Sequence, residues 1–208
     1  MNNEVEKVRQ MTKQLNTQDM MEQALAACSE LDYKQALPLL EELAALEIPD
    51  ACVHLAYMYA DGNEDVAKDE ALSTIWYSKY FFLLRRQIQE GDAEASFKLA
   101  SSYQYGNGIR CDEKKAVEFY TLSASKGHAE AQFHLSCLWK YGWCGLKANP
   151  EQQMYWLHQA VRLEHPEALY SFGLMYMQDD FDNEQGLRFI RRSAELGFWV
   201  ASDYLKSQ

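Results

Sequence analysis

The stretch HAEAQFHLSCLWKYGWCGLKANPEQQMYWLHQAVRLEHPEA, residues 128–168, opens with His128-Ala-Glu-Ala131 and closes with His165-Pro-Glu-Ala168. Upstream, Asp92-Ala-Glu-Ala95 has nearly the same wording. Stacked on their last alanines, Ala95-Ser-Phe-Lys-Leu-Ala-Ser-Ser-Tyr103 lies over Ala131-Gln-Phe-His-Leu-Ser-Cys-Leu-Trp139 and Ala168-Leu-Tyr-Ser-Phe-Gly-Leu-Met-Tyr176. Ala51-Cys-Val-His-Leu-Ala-Tyr-Met-Tyr59 fits the same frame. Each copy has a small residue, a large apolar one four later, a small one next, and an aromatic three beyond. Those offsets place all four on one face of a helix, and the small members let a second helix come close.

A second helix follows each first one. Lys115 to Gly127 recurs as Gln185 to Gly197, so that Ala116, Phe119, Tyr120, Ser123 and Ala124 match Gly186, Phe189, Ile190, Ser193 and Ala194. Gln153, Trp156, Leu157, Ala160 and Val161 form a looser middle copy. Gly91, Gly127 and Gly197 close these helices, where a left-handed C-cap is expected. The periods are 36, 37 and 33 residues (95 to 131, 131 to 168, 168 to 201). Two helices per period of that length predict an all-α, right-handed α-solenoid of about four to five helix-turn-helix repeats.

The expected division is a polar extension over 1–16, a helix pair over 17–49, and repeats at 50–91, 92–127, 128–164 and 165–197, with a capping helix over 198–208. The first full repeat is longer, with a second helix from about Asp69 to Glu90 whose apolar stretch Ala71–Leu84 is expected to be largely buried. Pro38 is tolerated if it lies in the first turn of its helix. The 208 residues carry a net charge of −11. That disfavours binding to nucleic acid or an anionic membrane and permits a basic protein partner. Five cysteines without a Cys-x-x-Cys, and an N-terminus without an apolar leader, are expected of reduced thiols in a cytoplasmic protein.

The best copy reads Ala95…Leu99-Ala100…Tyr103…Gly106-Asn-Gly108-Ile109…Asp112…Lys115-Ala116…Phe119-Tyr120…Ser123-Ala124…Gly127. On these residues the chain resembles the Sel-1-like repeat family, relatives of the tetratricopeptide repeat. Residues 50–208 carry the resemblance well and 17–49 more weakly. It implies a non-enzymatic protein-binding module. Sel-1-like repeats also occur beside bacterial toxins, so together with small size and acidity it suggests an immunity protein that neutralises a toxin. A regulatory adaptor or assembly scaffold is the alternative, and a homodimer seamed near Trp76–Leu84 is another.

No catalytic constellation stands out. None of the five histidines forms a His-x-x-x-His pair, and there is no phosphate-binding or nucleophile-elbow motif. No cofactor and no metal is expected. The rival of another class is a metal-dependent enzyme using His134, Cys137 and Lys140.

With the core face assigned, the positions two and six after each alanine point away from it, toward the concave side that first helices line in helical-hairpin solenoids. The first set is Val53, Phe97, Phe133 and Tyr170; the second is Tyr57, Ser101, Cys137 and Leu174; Tyr105 and Tyr141 extend the strip. These residues either bind a partner or pack between repeats. Asp61, Glu64 and Asp65 in one loop, and Asp179, Asp180 and Asp182 in another, read as solvated turns or as docking points for a basic partner. Residues 92–164 carry no net charge, while 1–48, 49–91 and 165–208 carry −5, −3 and −3.

Overall fold

The structure is a computed structural model that describes residues 2–178 and 183–207; the side chains of 2–15 and 178 are outside the described set. Every described element is a helix. Residues 1–89 form one unit and 90–208 another. The first holds α1 (Asn2–Ser29), α2 (Tyr33–Ala45), α3 (Pro49–Asp61) and α4 (Glu70–Gln89). The second holds α5 (Ala93–Tyr105), α6 (Glu113–Ser125), α7 (Ala129–Tyr141), α8 (Pro150–Arg162), α9 (Pro166–Gln178), α10 (Asn183–Glu195) and α11 (Trp199–Lys206). Within each unit every helix packs on the next one in the chain, as a helical-repeat solenoid requires.

The repeated face is the core. Ala51, Ala95, Ala131 and Ala168 are buried, as are Leu55, Leu99, Leu135 and Phe172 four residues later. The second small residue does the closest packing. A Cβ on Gly173 of α9 would stand 2.7 Å from the Gly186 carbonyl oxygen of α10 and 2.7 Å from Ile190 Cγ1. A Cβ on Gly186 would meet the Gly173 oxygen at 2.8 Å. Both glycines therefore serve a backbone-to-backbone approach that an alanine pair cannot reach. Beside it, Ser193 Oγ donates to the Pro166 carbonyl at 2.7 Å, and its repeat counterpart Ser123 donates to Ala93 at the same distance. Each satisfies a carbonyl at the start of the first helix.

The helix ends follow the capping pattern. Gly127 and Gly197 have φ of 86° and 91°, in the left-handed region expected of them. Glu47 and Glu164 take the same conformation at the ends of α2 and α8, with φ of 61° and 56°. Each is held by an arginine on a later second helix: Arg86 bonds Glu47 at 2.8 Å, and Arg192 bonds both Glu164 oxygens at 2.9 Å. Those exposed ion pairs hold the Glu164 and Glu47 carboxyls below the usual carboxylate range and push Arg192 up.

Two local features depart from the simplest reading of the sequence. Pro38 lies in the second turn of α2, not the first, so the Lys34 carbonyl loses its helical donor. Both residues are exposed, which leaves that oxygen to water. The apolar stretch of α4 is buried on one side only. Ser73, Tyr80, Phe81, Leu83 and Leu84 are buried, whereas Ile75 and Phe82 are 60% and 62% exposed. A helix apolar all round needs neighbours all round, and α3 covers one face of it.

The glycine pair generates a direct test. Gly173→Ala should destabilise the chain by roughly 2 kcal/mol through overpacking, despite alanine's better helix propensity. A urea midpoint equal to or above that of the wild type would contradict the close approach.

Candidate partner-binding surface

The first-helix positions chosen from the sequence divide into two groups. Phe97, Phe133 and Tyr170 are half-buried, and each ring packs against the residue that starts the next first helix. The ring centroids are 5.0 Å apart for Phe97–His128, 4.9 Å for Phe133–His165 and 5.5 Å for Tyr170–Phe198. Val53, Ser101, Cys137 and Leu174 are also half-buried. Tyr57 is exposed and packs edge-on to Tyr77, 5.9 Å away. Tyr105 and Tyr141 are the open members, 63% and 53% exposed. Beside Tyr141 the structure adds Trp143, which is equally exposed and stacked on it at 4.7 Å. Lys140 Nζ sits 5.0 Å from the Tyr141 ring. Trp143 follows the helix by two residues, so the helical spacing that found Tyr141 could not find it.

The histidines under Phe97 and Phe133 are the junctions between repeats. His128 Nδ1 accepts from Ala131 N–H at 3.1 Å, capping α7. With Nδ1 accepting, Nε2 carries the hydrogen and donates to Glu94 Oε2 at 2.6 Å. His165 repeats the arrangement, accepting from Ala168 N–H at 3.3 Å and donating to Glu130 Oε2 at 2.7 Å. The quoted words His-Ala-Glu-Ala and His-Pro-Glu-Ala are therefore a cap and a latch. In each the histidine caps its own helix and reaches back to the glutamate of the preceding first helix, Glu94 for His128 and Glu130 for His165. The Glu-Ala pair repeats visibly in the sequence, but its partner lies 34 or 35 residues away. Asp92 caps α5 in the conventional way, accepting from Ala95 N–H at 3.0 Å.

His134 belongs to a different network. Gln104 Oε1 accepts from the Tyr120 hydroxyl at 2.7 Å and from His134 Nε2 at 3.0 Å. Burial lowers the pKa of His134, with Glu130 partly opposing, and raises that of Tyr120. A neutral donor imidazole fits that bond. Burial also pushes up the thiols of Cys137 and Cys144, which leaves neither poised as a thiolate. Lys140, the third member of the metal-enzyme rival, faces the Tyr141 ring. Among the described residues no group of three His, Cys, Asp or Glu side chains gathers as metal ligands, and no helix is long and apolar enough to cross a membrane.

Asp61, Glu64 and Asp65 are exposed at the end of α3 and in the loop after it. Asn63 shapes that loop, its Oδ1 accepting from the Asp65 and Val66 N–H groups at 2.9 Å. Asp179, Asp180 and Asp182 lie outside the described residues.

Comparison with known proteins matches this geometry to a family. The Sel1 repeat model matches residues 49–79, 93–128, 129–165 and 166–198. The chain is 33% identical over 129 residues to an exopolysaccharide production negative regulator of Rhizobium leguminosarum bv. viciae, covering 57% of this chain and 46% of that one. It is 25% identical over 162 residues to chitin synthase regulatory factor 3 of Schizosaccharomyces pombe, covering 74% of this chain and 17% of the relative. It thus spans less than half the length of either. A solved Sel1 repeat protein from Oxalobacter formigenes shares the fold, with a TM-score of 0.60 at 22% identity over 88% of this chain and 73% of that one.

The latch gives a pH dependence. The hydrogen bond from His165 holds the Glu130 carboxyl below its ordinary value, with burial opposing. A carboxylate with a depressed folded pKa adds stability above its unfolded pKa, and that stability is lost as pH falls through the folded value. Glu130→Gln should therefore be less stable than wild type at pH 7, and the difference should shrink as pH falls toward 3. Parallel urea melts across that range check this; a difference that persists unchanged at pH 3 would contradict it. Four matched repeats over most of the chain, built on the helix pairs and junctions described above, make this protein a member of the Sel1 repeat family.

Proposed function

We propose that this chain is a non-catalytic protein-binding module that regulates a partner by docking it on the exposed first-helix rings. The observation that carries the reading is the open, stacked pair of Tyr141 and Trp143, with the equally open Tyr105 at the same position one repeat earlier. Exposed aromatics of that size on a charged protein are costly unless something covers them, and such rings dominate binding energy at protein interfaces. Phe97, Phe133 and Tyr170 stand behind that surface and hold successive repeats together, so they position it more than they contact a partner.

The charge supports a basic partner. A net charge of −11 steers a cationic surface toward the chain. The relatives named as regulators of exopolysaccharide production and of chitin synthase support a regulatory role over an enzymatic one. Inhibition of a toxin by an immunity protein is one form of such regulation, set in the cytoplasm and distinguished by the identity of the partner.

The test is affinity capture from native cells with wild type and with a Tyr105→Ala, Tyr141→Ala, Trp143→Ala variant of matched helicity. A dominant basic partner should be captured by wild type and bound at least tenfold more weakly by the variant, a loss of about 1.4 kcal/mol or more. Its affinity should fall with added salt. Equal binding by both forms would move the interface elsewhere on the chain. A captured toxin whose activity is neutralised would establish the immunity role, whereas a set of several partners would establish an adaptor.

A further inference from the structure

The second helices start in one frame. Ahead of α4 the Asp69 N–H donates to the Tyr59 carbonyl at 2.8 Å, as Asp112 donates to Tyr103 ahead of α6 and Asn149 to Trp139 ahead of α8, both at 2.9 Å. In that frame Ala71, Ile75, Ser78 and Phe82 of α4 stand where α6 has Lys114, Glu118, Thr121 and Ser125. The match of Ala116 to Gly186 extends the row to Glu184, Arg188, Arg191 and Glu195 in α10. All of these residues are exposed, so the row is the outward side of each helix. On α6 and α10 it is polar or charged. On α4 it carries no charge from 71 to 82, and both its large apolar members, Ile75 and Phe82, are more than half exposed.

The other sides of α4 are taken. Its buried residues meet α3, Lys79 Nζ donates to the Ala44 carbonyl of α2 at 2.8 Å, and Arg86 reaches Glu47 beyond it. α4 also has 20 residues where α6, α8 and α10 have 13, so it carries the row on for about two turns, through Arg85 and Gln89.

Ala71, Ile75, Ser78, Phe82, Arg85 and Gln89 follow one another at steps of four and three, the spacing of a seam between two helices. Small and large residues alternate along it. Laid antiparallel on an identical helix, Phe82 falls on Ala71 and Ile75 on Ser78, and both pairs share one midpoint between Trp76 and Tyr77. Ser78 Oγ already donates to the Thr74 carbonyl at 2.8 Å, so covering it orphans no hydroxyl. Charge complements itself in the same orientation. Asp69 and Glu70 stand at one end of the row and the exposed Arg85 at the other, so each arginine meets the acidic first turn of the opposite copy. A face that fits its own reverse in size and in charge meets the requirement of a twofold interface.

We propose that the outer face of α4 binds a second copy of this chain, the two helices lying antiparallel about a twofold axis between Trp76 and Tyr77. The seam uses no residue of the partner-binding surface proposed above, so neither reading depends on the other.

The test is sedimentation and light scattering of the full chain from about 1 to 100 µM, since a single helix pair is a small interface of roughly micromolar strength. The mass should rise from 24.1 kDa toward twice that value with concentration. Phe82→Lys should raise the dissociation constant at least about tenfold, with helicity and urea midpoint of the monomer unchanged because the ring is exposed. Arg85→Glu should also weaken the dimer, and adding Glu70→Arg to it should restore association. That recovery reports antiparallel pairing, since parallel helices would set like charges together in either form. Tyr141→Ala with Trp143→Ala should leave the dimer intact. A monomer at every concentration overturns the proposal and leaves this face to a different protein. A dimer that survives Phe82→Lys, or that is lost with Tyr141 and Trp143, overturns it by placing the interface elsewhere. Failure of the Glu70→Arg, Arg85→Glu variant to recover overturns the antiparallel pairing.

Discussion

Everything in this fold depends on how closely the second helix of each repeat can approach the first. The contact is made by residues too small to hold it off: an alanine, serine or glycine five positions after the anchoring alanine, as where Gly173 faces Gly186 on the partner helix. At α9 and α10 the approach is so close that a Cβ on either glycine would collide with the other's carbonyl oxygen. Close approach brings Ser123 and Ser193 within reach of carbonyls at the start of the facing helix. It also commits the large apolar residues to the interior, which leaves the opposite side of each first helix to make contacts of its own.

Those outward contacts are spent first on the neighbouring repeat. Phe97 and Phe133 cover histidines that cap the next first helix and donate back to Glu94 and Glu130. One imidazole therefore satisfies an orphaned backbone N–H, orders a carboxylate and stacks on a ring. At the last junction Phe198 stands where a histidine would, and the junction with Tyr170 is purely apolar.

The aromatic rings left over after this packing are the ones that bear on function. Tyr105 and Tyr141 lie about two turns beyond Phe97 and Phe133, and they stay exposed. The half-buried rings and the open ones share a helical face and the same residue types. Their roles differ because one set has a partner about thirty residues downstream and the other has none.

The sequence by itself determined the helix pairs, their spacing and the buried face, since a 3.6-residue period and small residues at fixed offsets leave few other ways to bury that much apolar surface. It determined the left-handed turns at Gly127 and Gly197 for the same local reason. Only the tertiary structure decided that His128 and His165 are caps and latches, that Ile75 and Phe82 are exposed, and that Gln132 keeps an unpaired oxygen. Each of those depends on where another helix comes to rest. A helical period reports which residues share a face; the neighbour that covers that face, or fails to, is set by packing between segments far apart in the chain.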